Sequence, residues 1–292
     1  HFGFSSIEHP CISEPIKSLV HQGFMVSEIP VDSNGIFNVS DIPDEKRQSL
    51  TFLSVMMANN ETGVIQNISE IANWARENKI QFHTDAVQAL GKIKVDFEAL
   101  DIDAMTISSH KIYGPQGIAA LIVNKKIDLS PFMQGGGQEK GLRSGTENIA
   151  AIIGFGKACE RSNQNRVRFE QNIKLLKLTL EKALIELGAI IFCENSRRLS
   201  NTTFFSFKNI DGSTLLTALD RKGFAIASGS ACSSNNSEPS HVLLSMGVDL
   251  DLAQGALRVS LGVETTENEI NDFIETLKNE VNRLKQLTAV AA

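Results

Sequence analysis

No apolar run in this sequence approaches the ~20 residues that a membrane-spanning helix needs, and the stretch from His1 lacks the basic start and apolar block of a signal peptide. A reducing, cytosolic (cytoplasmic) setting is the expectation. Basic residues are also in deficit: 28 Lys and Arg stand against 34 Asp and Glu, a net charge of -6. No broad basic footprint therefore supports nucleic acid as the main partner, and small molecules or other proteins fit better. Cysteines are few and scattered. Cys11, Cys159, Cys193 and Cys232 show no CxxC spacing, which argues against a disulfide framework and against a zinc site built from closely spaced pairs. Internal repeats and low-complexity tracts are absent as well. What is present is a chain of 292 residues, 42% hydrophobic and 21% charged, the composition of an ordinary soluble globular protein. At roughly 150 residues per domain it is long enough for two.

From Leu50 to Val123 short apolar runs alternate with helical patterns, the signature of βαβ units and a mainly parallel sheet. Thr51 to Met57 reads as a buried strand. Ile68, Ile71, Ala72 and Ala75 recur at helical spacing, with Asn67 or Ser69 as the cap, before a strand begins at Ile80 to His83. Ala104 to Ser108 and Ile118 to Val123 read as two more strands around a polar turn. Beyond Gly135 to Gly145, a long helical pattern from about Ile149 into the Leu175 to Leu187 region is expected to bridge two domains. The remainder reads as a smaller α+β unit, with strands near Ile190 to Phe192, Thr203 to Phe207 and Ala256 to Ser260. Its helices fall near Leu215 to Lys222 and Glu267 to Leu284. The expected division is a large α/β domain over 1–155 and a small C-terminal α+β domain over 156–292.

Four constellations break the apolar pattern. In His83-Thr-Asp-Ala-Val-Gln88 a carboxylate and an amide stand where a strand gives way to a turn, the place where open α/β sheets bind ligands. Taken alone, Asp85 reads equally as a cap and His83 as a satisfied core side chain. In Ser108-Ser-His-Lys111 a hydroxyl, an imidazole and an amine share one turn, a set suited to an aldehyde bearing phosphate; a plain surface lysine is the alternative for Lys111. Ser228-Gly-Ser-Ala-Cys232 embeds a cysteine in small polar residues, as a nucleophile needs, whereas Cys11, Cys159 and Cys193 adjoin apolar residues and read as buried fillers. Arg258 lies inside an apolar strand pattern and should meet an anion, either a structural carboxylate or that of a substrate.

Together, Asn59-Asn-Glu-Thr-Gly63, His83-Thr-Asp-Ala-Val-Gln88, Ser109-His-Lys111, Arg143-Ser-Gly-Thr146, Ser228-Gly-Ser-Ala-Cys232 and Arg258-Val-Ser-Leu-Gly262 resemble, in order and spacing, the NifS/IscS cysteine desulfurases. The form of the Cys232 motif is similar to that of the housekeeping group. The resemblance implies a fold-type I architecture: a large domain with a seven-stranded, mostly parallel sheet, a smaller domain, and a homodimer with active sites at its interface. It implies pyridoxal 5'-phosphate held by Lys111 as a Schiff base, with Asp85 at the ring nitrogen, Gln88 at the phenolic oxygen and His9 stacked on the ring. Ser108 and His110 match phosphate ligands, Thr146 matches a contact to the partner's cofactor phosphate, and Asn60 and Arg258 match groups that orient the substrate carboxylate. The implied reaction takes L-cysteine to L-alanine. Lys111 moves the Cα proton, and the Cys232 thiolate takes the sulfur as a persulfide for an iron-sulfur scaffold or another sulfur-acceptor protein.

The family pattern extends beyond His1 on the N-terminal side, so a strand of the large sheet, part of the small domain and a phosphate-cradling Gly-Ala-Thr turn are expected to be absent, leaving an exposed sheet edge or uncovered apolar surface. Two rival readings follow. One is a related pyridoxal-phosphate enzyme such as a selenocysteine lyase or an aminotransferase, which needs no Cys232; the other is a non-catalytic fragment that serves in dimerisation or partner binding.

Overall fold

The computed structural model describes residues 1–229 and 238–291. Their strands form two sheets. The first holds β1 (Phe2–Ser5), β2 (Val26–Ile29), β3 (Phe52–Ser54), β4 (Gln81–Asp85), β5 (Ala104–Ser108) and β6 (Ala119–Val123), in the order β2-β1-β3-β4-β5-β6. Every pairing is parallel except that of β6 with β5. The second holds β7 (Ala189–Ile191), β8 (Thr202–Phe207), β9 (Ala227–Ser228) and β10 (Leu257–Ser260), antiparallel throughout, in the order β7-β8-β10-β9. The helices are α1 (Pro10–Ser18), α2 (Asp44–Arg47), α3 (Ile68–Glu77), α4 (Phe97–Leu100), α5 (Ile149–Glu186), α6 (Gly212–Asp220), α7 (His241–Ser245), α8 (Leu250–Gln254) and α9 (Glu267–Ala291). None of the described helices is long and apolar enough to cross a membrane.

Periodicity explains the elements that position the site. Ile68, Ile71, Ala72 and Ala75 form the buried face of α3, which packs on β4. Asn67 occupies the cap position, but its amide donates to Glu70 at 2.7 Å and caps no backbone N–H. The strand read over Thr51 to Met57 is regular only to Ser54. Val55 and Met57 still donate to the His83 and Asp85 carbonyls of β4, at 3.1 and 2.8 Å, before the Asn59 turn bends the chain away.

Two apolar cores share the molecule, and adjacent residues of one strand feed both. On β8, Phe204 joins the core of Leu53, Phe82 and Met105, while Phe205 joins that of Leu257, Phe273 and Leu277, because successive strand side chains point to opposite faces. Helix α5 spans both as well, with Phe155 and Ala158 in the first core and Ile173, Leu180 and Leu184 in the second. It is fixed there by Glu181, which accepts two bonds from Arg198 at 2.8 and 3.2 Å and one from Thr203 at 2.9 Å. Lys177, one turn earlier, donates to the Leu199 carbonyl at 2.8 Å.

Strand β6 pairs with β5 alone among the described residues. On that strand Leu121 is 54% exposed.

Candidate active site

The C-terminal ends of the parallel strands converge on one side of the large sheet. Beyond β1 come Glu8 and His9, beyond β3 the turn at Asn59 to Gly63, at the end of β4 Asp85, and at the end of β5 Ser108 followed by Lys111. This is where open parallel sheets gather ligand-binding groups.

Asp85 is buried, and its Oδ1 accepts from the Val87 N–H at 2.8 Å. Burial raises its pKa, opposed by that N–H and by the charge of Lys111. His83, two residues earlier, is the satisfied core histidine that its pattern allowed: its ring nitrogens bond the Ser54 and Thr106 hydroxyls, both at 2.9 Å, and burial pushes its pKa down to about 4. Glu8, close enough to feel the charge of Asp85, is buried, and its carboxyl accepts from the Met56 N–H. Burial, then the charge of Asp85, holds the Glu8 carboxyl well above the usual range. Its other oxygen has no partner among the described residues.

Lys111 is exposed, on a short turn held from both sides. The Ser109 carbonyl accepts from Ile112 and Gly114, each at 3.0 Å, and a Cβ at Gly114 would come within 2.2 Å of the Ser109 hydroxyl, so only glycine fits. Tyr113 carries the turn to the second sheet, its hydroxyl accepting the Val263 N–H at 3.0 Å. The charge of Lys111 is felt at three groups: it lowers the pKa of His9, of Asp85 and of Lys92. His9 is half-buried at the cap of α1, where its Nδ1 accepts from the Cys11 N–H at 3.1 Å. Burial, then Lys111 and His241, lowers its pKa and favours the neutral ring. Ser108 and His110 bond each other at 2.9 Å. Half-buried Gln88 is held by Lys92, whose Nζ donates to its backbone oxygen at 2.8 Å and to its side-chain oxygen at 3.0 Å. A cleft of about 1090 Å³, lined by Lys92, Lys111, Tyr113, Phe224 and Val263 among others, opens beside this cluster.

A second cluster adjoins the turn after β3. Asn59 builds that turn, its side-chain oxygen accepting from the Glu61 and Thr62 N–H groups, both at 2.9 Å. Arg258 on β10 donates to the Asn60 carbonyl at 2.8 Å, and the Asn60 side-chain oxygen is buried without a partner among the described residues. Glu61 accepts from the Ser240 hydroxyl. Its pKa is pushed up to about 7 by burial, against the pull of Ser240 and Arg258. A Cβ at Gly229 would sit 3.1 Å from the same carboxylate, so Gly229 and Ser240 both stand against Glu61.

Cys232 lies outside the described residues. Thr146 is exposed, three residues ahead of α5. Of the other cysteines, Cys193 is buried, with its thiol pushed up to about 11, and Cys159 is partly buried. Cys11 is exposed, which corrects its reading as a buried filler: the first turn of α1 points it outward, and its apolar neighbour Ile12 gives no guide to its own direction. Sequence reasoning did not single out Glu8, Glu61, Lys92 or His241, the last of which donates to the Glu8 carbonyl at 3.2 Å. Glu8 and Glu61 lie within or beside the quoted motifs, and Lys92 stands four residues beyond Gln88, the one spacing signal available for it.

The chemistry of this donor set fits pyridoxal phosphate. It supplies an amine for the aldehyde, a buried carboxylate for a ring nitrogen, a hydroxyl and an imidazole for a phosphate, and in Asn60 an amide oxygen lacking a partner. No grouping of three or more His, Cys, Asp or Glu suited to a metal occurs among the described residues.

Comparison with known proteins agrees. The chain matches the family model described as aminotransferase class-V over residues 1–273. It is 40% identical over 294 residues to the protein named cysteine desulfurase IscS of Clostridium botulinum, covering 99% of this chain and 74% of that one. The protein of the same name from Dictyoglomus turgidum is 37% identical over 290 residues, with 99% and 74% covered. Among solved structures, a NifS-like protein from Rickettsia africae superposes with a TM-score of 0.87 at 36% identity, over 97% of this chain and 75% of that one.

Proposed function

This chain belongs to the class-V aminotransferase family, among its cysteine desulfurases, and on that premise we propose that it converts L-cysteine to L-alanine and leaves the sulfur on Cys232 as a persulfide. The observation that carries the reading is positional: Lys111, Asp85 and His9 stand at the C-terminal ends of the parallel strands β5, β4 and β1, near enough for the lysine charge to act on the other two.

Lys111 would hold pyridoxal phosphate covalently, Asp85 would face its ring nitrogen, His9 its ring, Gln88 its phenolic oxygen, and Ser108 and His110 its phosphate. When bound, the cofactor supplies an electron sink for the substrate carbon that loses its proton. The chain's own groups do the rest. The Val87 N–H and the charge of Lys111 favour the Asp85 carboxylate against the cost of its burial. Lys111, on its clamped turn, would take and return the proton at the substrate Cα. Arg258, with Asn60, grips the substrate carboxylate. The Cys232 thiolate attacks the substrate sulfur, so that the carbon–sulfur bond breaks, a sulfur–sulfur bond forms on the protein, and the carbon product takes up a proton.

A reducing, cytoplasmic setting belongs to the same reading, since Cys232 must stay a thiol. So does a homodimer, supported by exposed Ile149 and Ile153, one turn apart on α5 just beyond Thr146. An iron-sulfur scaffold or another sulfur carrier would receive the persulfide. We also assign residues 1–155 to a large cofactor-binding domain and 156–292 to a small one, a division supported by the two sheets and by the span of α5 across both cores.

The test is incubation with pyridoxal phosphate. A visible absorbance band is expected in the wild type and lost in Lys111→Ala; no band at saturating cofactor favours a non-catalytic role, and amino-group transfer from an amino acid to a 2-oxo acid that survives Cys232→Ala unchanged favours a transaminase.

A further inference from the structure

A glutamine amide presents an acceptor at one end and a donor at the other, and a pocket that needs one of them must hold the side chain the right way round. At Gln88 the structure shows what holds it. The Lys92 ammonium, which has donors only, reaches the Gln88 side-chain oxygen at 3.0 Å and its backbone oxygen at 2.8 Å. That pairing selects the carbonyl end of the amide and turns the NH2 end away from Lys92.

Lys92 is an expensive device for this task. It is part-buried in the wall of the cleft that Lys111 also lines, and it feels that lysine's like charge. Burial and this repulsion pull its pKa down to about 8. An apolar side chain would relieve both costs. The preceding residue helps to enclose it: Gly91 has φ +75, and a Cβ there would lie 2.9 Å from the Ser162 side chain and 3.0 Å from that of Ile112, so the backbone before Lys92 is wedged between α5 and the Lys111 turn.

We propose that Lys92 is a positioning residue that fixes and polarises the Gln88 amide, so that its NH2 group is presented as a strengthened hydrogen-bond donor to the phenolic oxygen of pyridoxal phosphate. The proposal rests on the reading of Gln88 given above. A charged donor on the amide oxygen makes the amide N–H a better donor in turn. A strong donor at the phenolic oxygen stabilises the form of the Schiff base that has lost its proton, and so lowers the pH at which the cofactor-loaded protein changes colour.

A double-mutant cycle separates this route from a direct effect of the lysine charge or from a structural role at the Gln88 carbonyl. The pH midpoint of the visible band is titrated in cofactor-loaded wild type, Lys92→Met, Lys92→Arg, Gln88→Leu and the Gln88→Leu/Lys92→Met double variant, each checked for folding by circular dichroism. Lys92→Met is expected to raise the midpoint by about one pH unit, a tenfold change in proton affinity, and Lys92→Arg to recover most of it. In the Gln88→Leu background Lys92→Met should add nothing. Equal shifts in both backgrounds, or no shift in either, overturn the inference; if Lys92→Met fails to fold, a Lys92→Arg midpoint equal to that of Gln88→Leu overturns it as well. A wild type that gains no band overturns the functional reading and this inference together.

Discussion

Arg258 donates from Nη1 to the backbone oxygen of Asn60 at 2.8 Å, so a strand of the antiparallel sheet and a turn at the end of a parallel one are joined at the point proposed for the substrate carboxylate. The residue proposed to grip substrate is thereby tied to the frame that carries Asp85 and Lys111.

Replacing Arg258 with Ala is expected to raise the KM for L-cysteine roughly 10- to 100-fold, since a hydrogen bond to a charged group contributes about 1.5–3 kcal/mol. Arg258→Lys should recover part of that loss, and the visible cofactor band should be little changed in both. Initial rates across L-cysteine concentrations check this, and an unchanged KM in Arg258→Ala counts against the assignment.

Glu61 and His83 should give stability opposite dependences on pH. The Glu61 carboxyl is pushed up to about 7 in the folded state from an ordinary 4.5, so the folded state holds the proton more tightly and stability falls as pH rises through that window. The His83 ring is pushed down to about 4 in the folded state from an ordinary 6.5, so stability falls as pH drops from 6.5 toward 4. Each effect is worth about 3 kcal/mol at full span, and in wild type they largely cancel between pH 4.5 and 6.5. Urea midpoints measured over that range should rise with pH in Glu61→Gln relative to wild type and fall with pH in His83→Gln. Curves parallel to wild type in both variants contradict the two assignments.

The Glu181 cluster gives a third prediction, independent of catalysis. Removing its carboxylate leaves Arg198 and Lys177 enclosed together without their shared counter-ion, and breaking such a buried pair costs about 3–5 kcal/mol. Denaturant unfolding of Glu181→Ala should show that loss, with Glu181→Gln milder because the amide oxygen still accepts from Arg198 or Thr203. A loss under about 1 kcal/mol, the scale of a surface pair, contradicts it.

Much of this arrangement is readable from residue order. The α3 and α5 patterns and strands β4, β5 and β6 show as clear periodicities, and Asp85, Lys111 and Arg258 show because each interrupts an apolar run. The first part of the chain is opaque for a physical reason: β1 and β2 are four residues long, one containing Gly3 and the other Glu28, too short for an alternation to register. β9 has only two residues. Glu8, Glu61 and Lys92 carry ordinary charged side chains, and their importance arises only from burial among distant residues such as Met56, Ser240 and Lys111. Likewise the pair Phe204 and Phe205 reads as one apolar stretch, and only the two-sided packing of β8 shows that it serves two cores.

The central claim, that Lys111 and Cys232 act in turn on one substrate, is tested most directly by one measurement. Cofactor-loaded wild type, Lys111→Ala and Cys232→Ala are exposed once to L-cysteine, and each protein is weighed by intact mass spectrometry while free L-alanine is counted. Wild type should gain one sulfur atom for each alanine released, Cys232→Ala should keep its visible band yet gain none, and Lys111→Ala should yield neither product. Sulfur appearing on Cys232→Ala as readily as on wild type, or alanine from Lys111→Ala at the wild-type rate, would contradict the account.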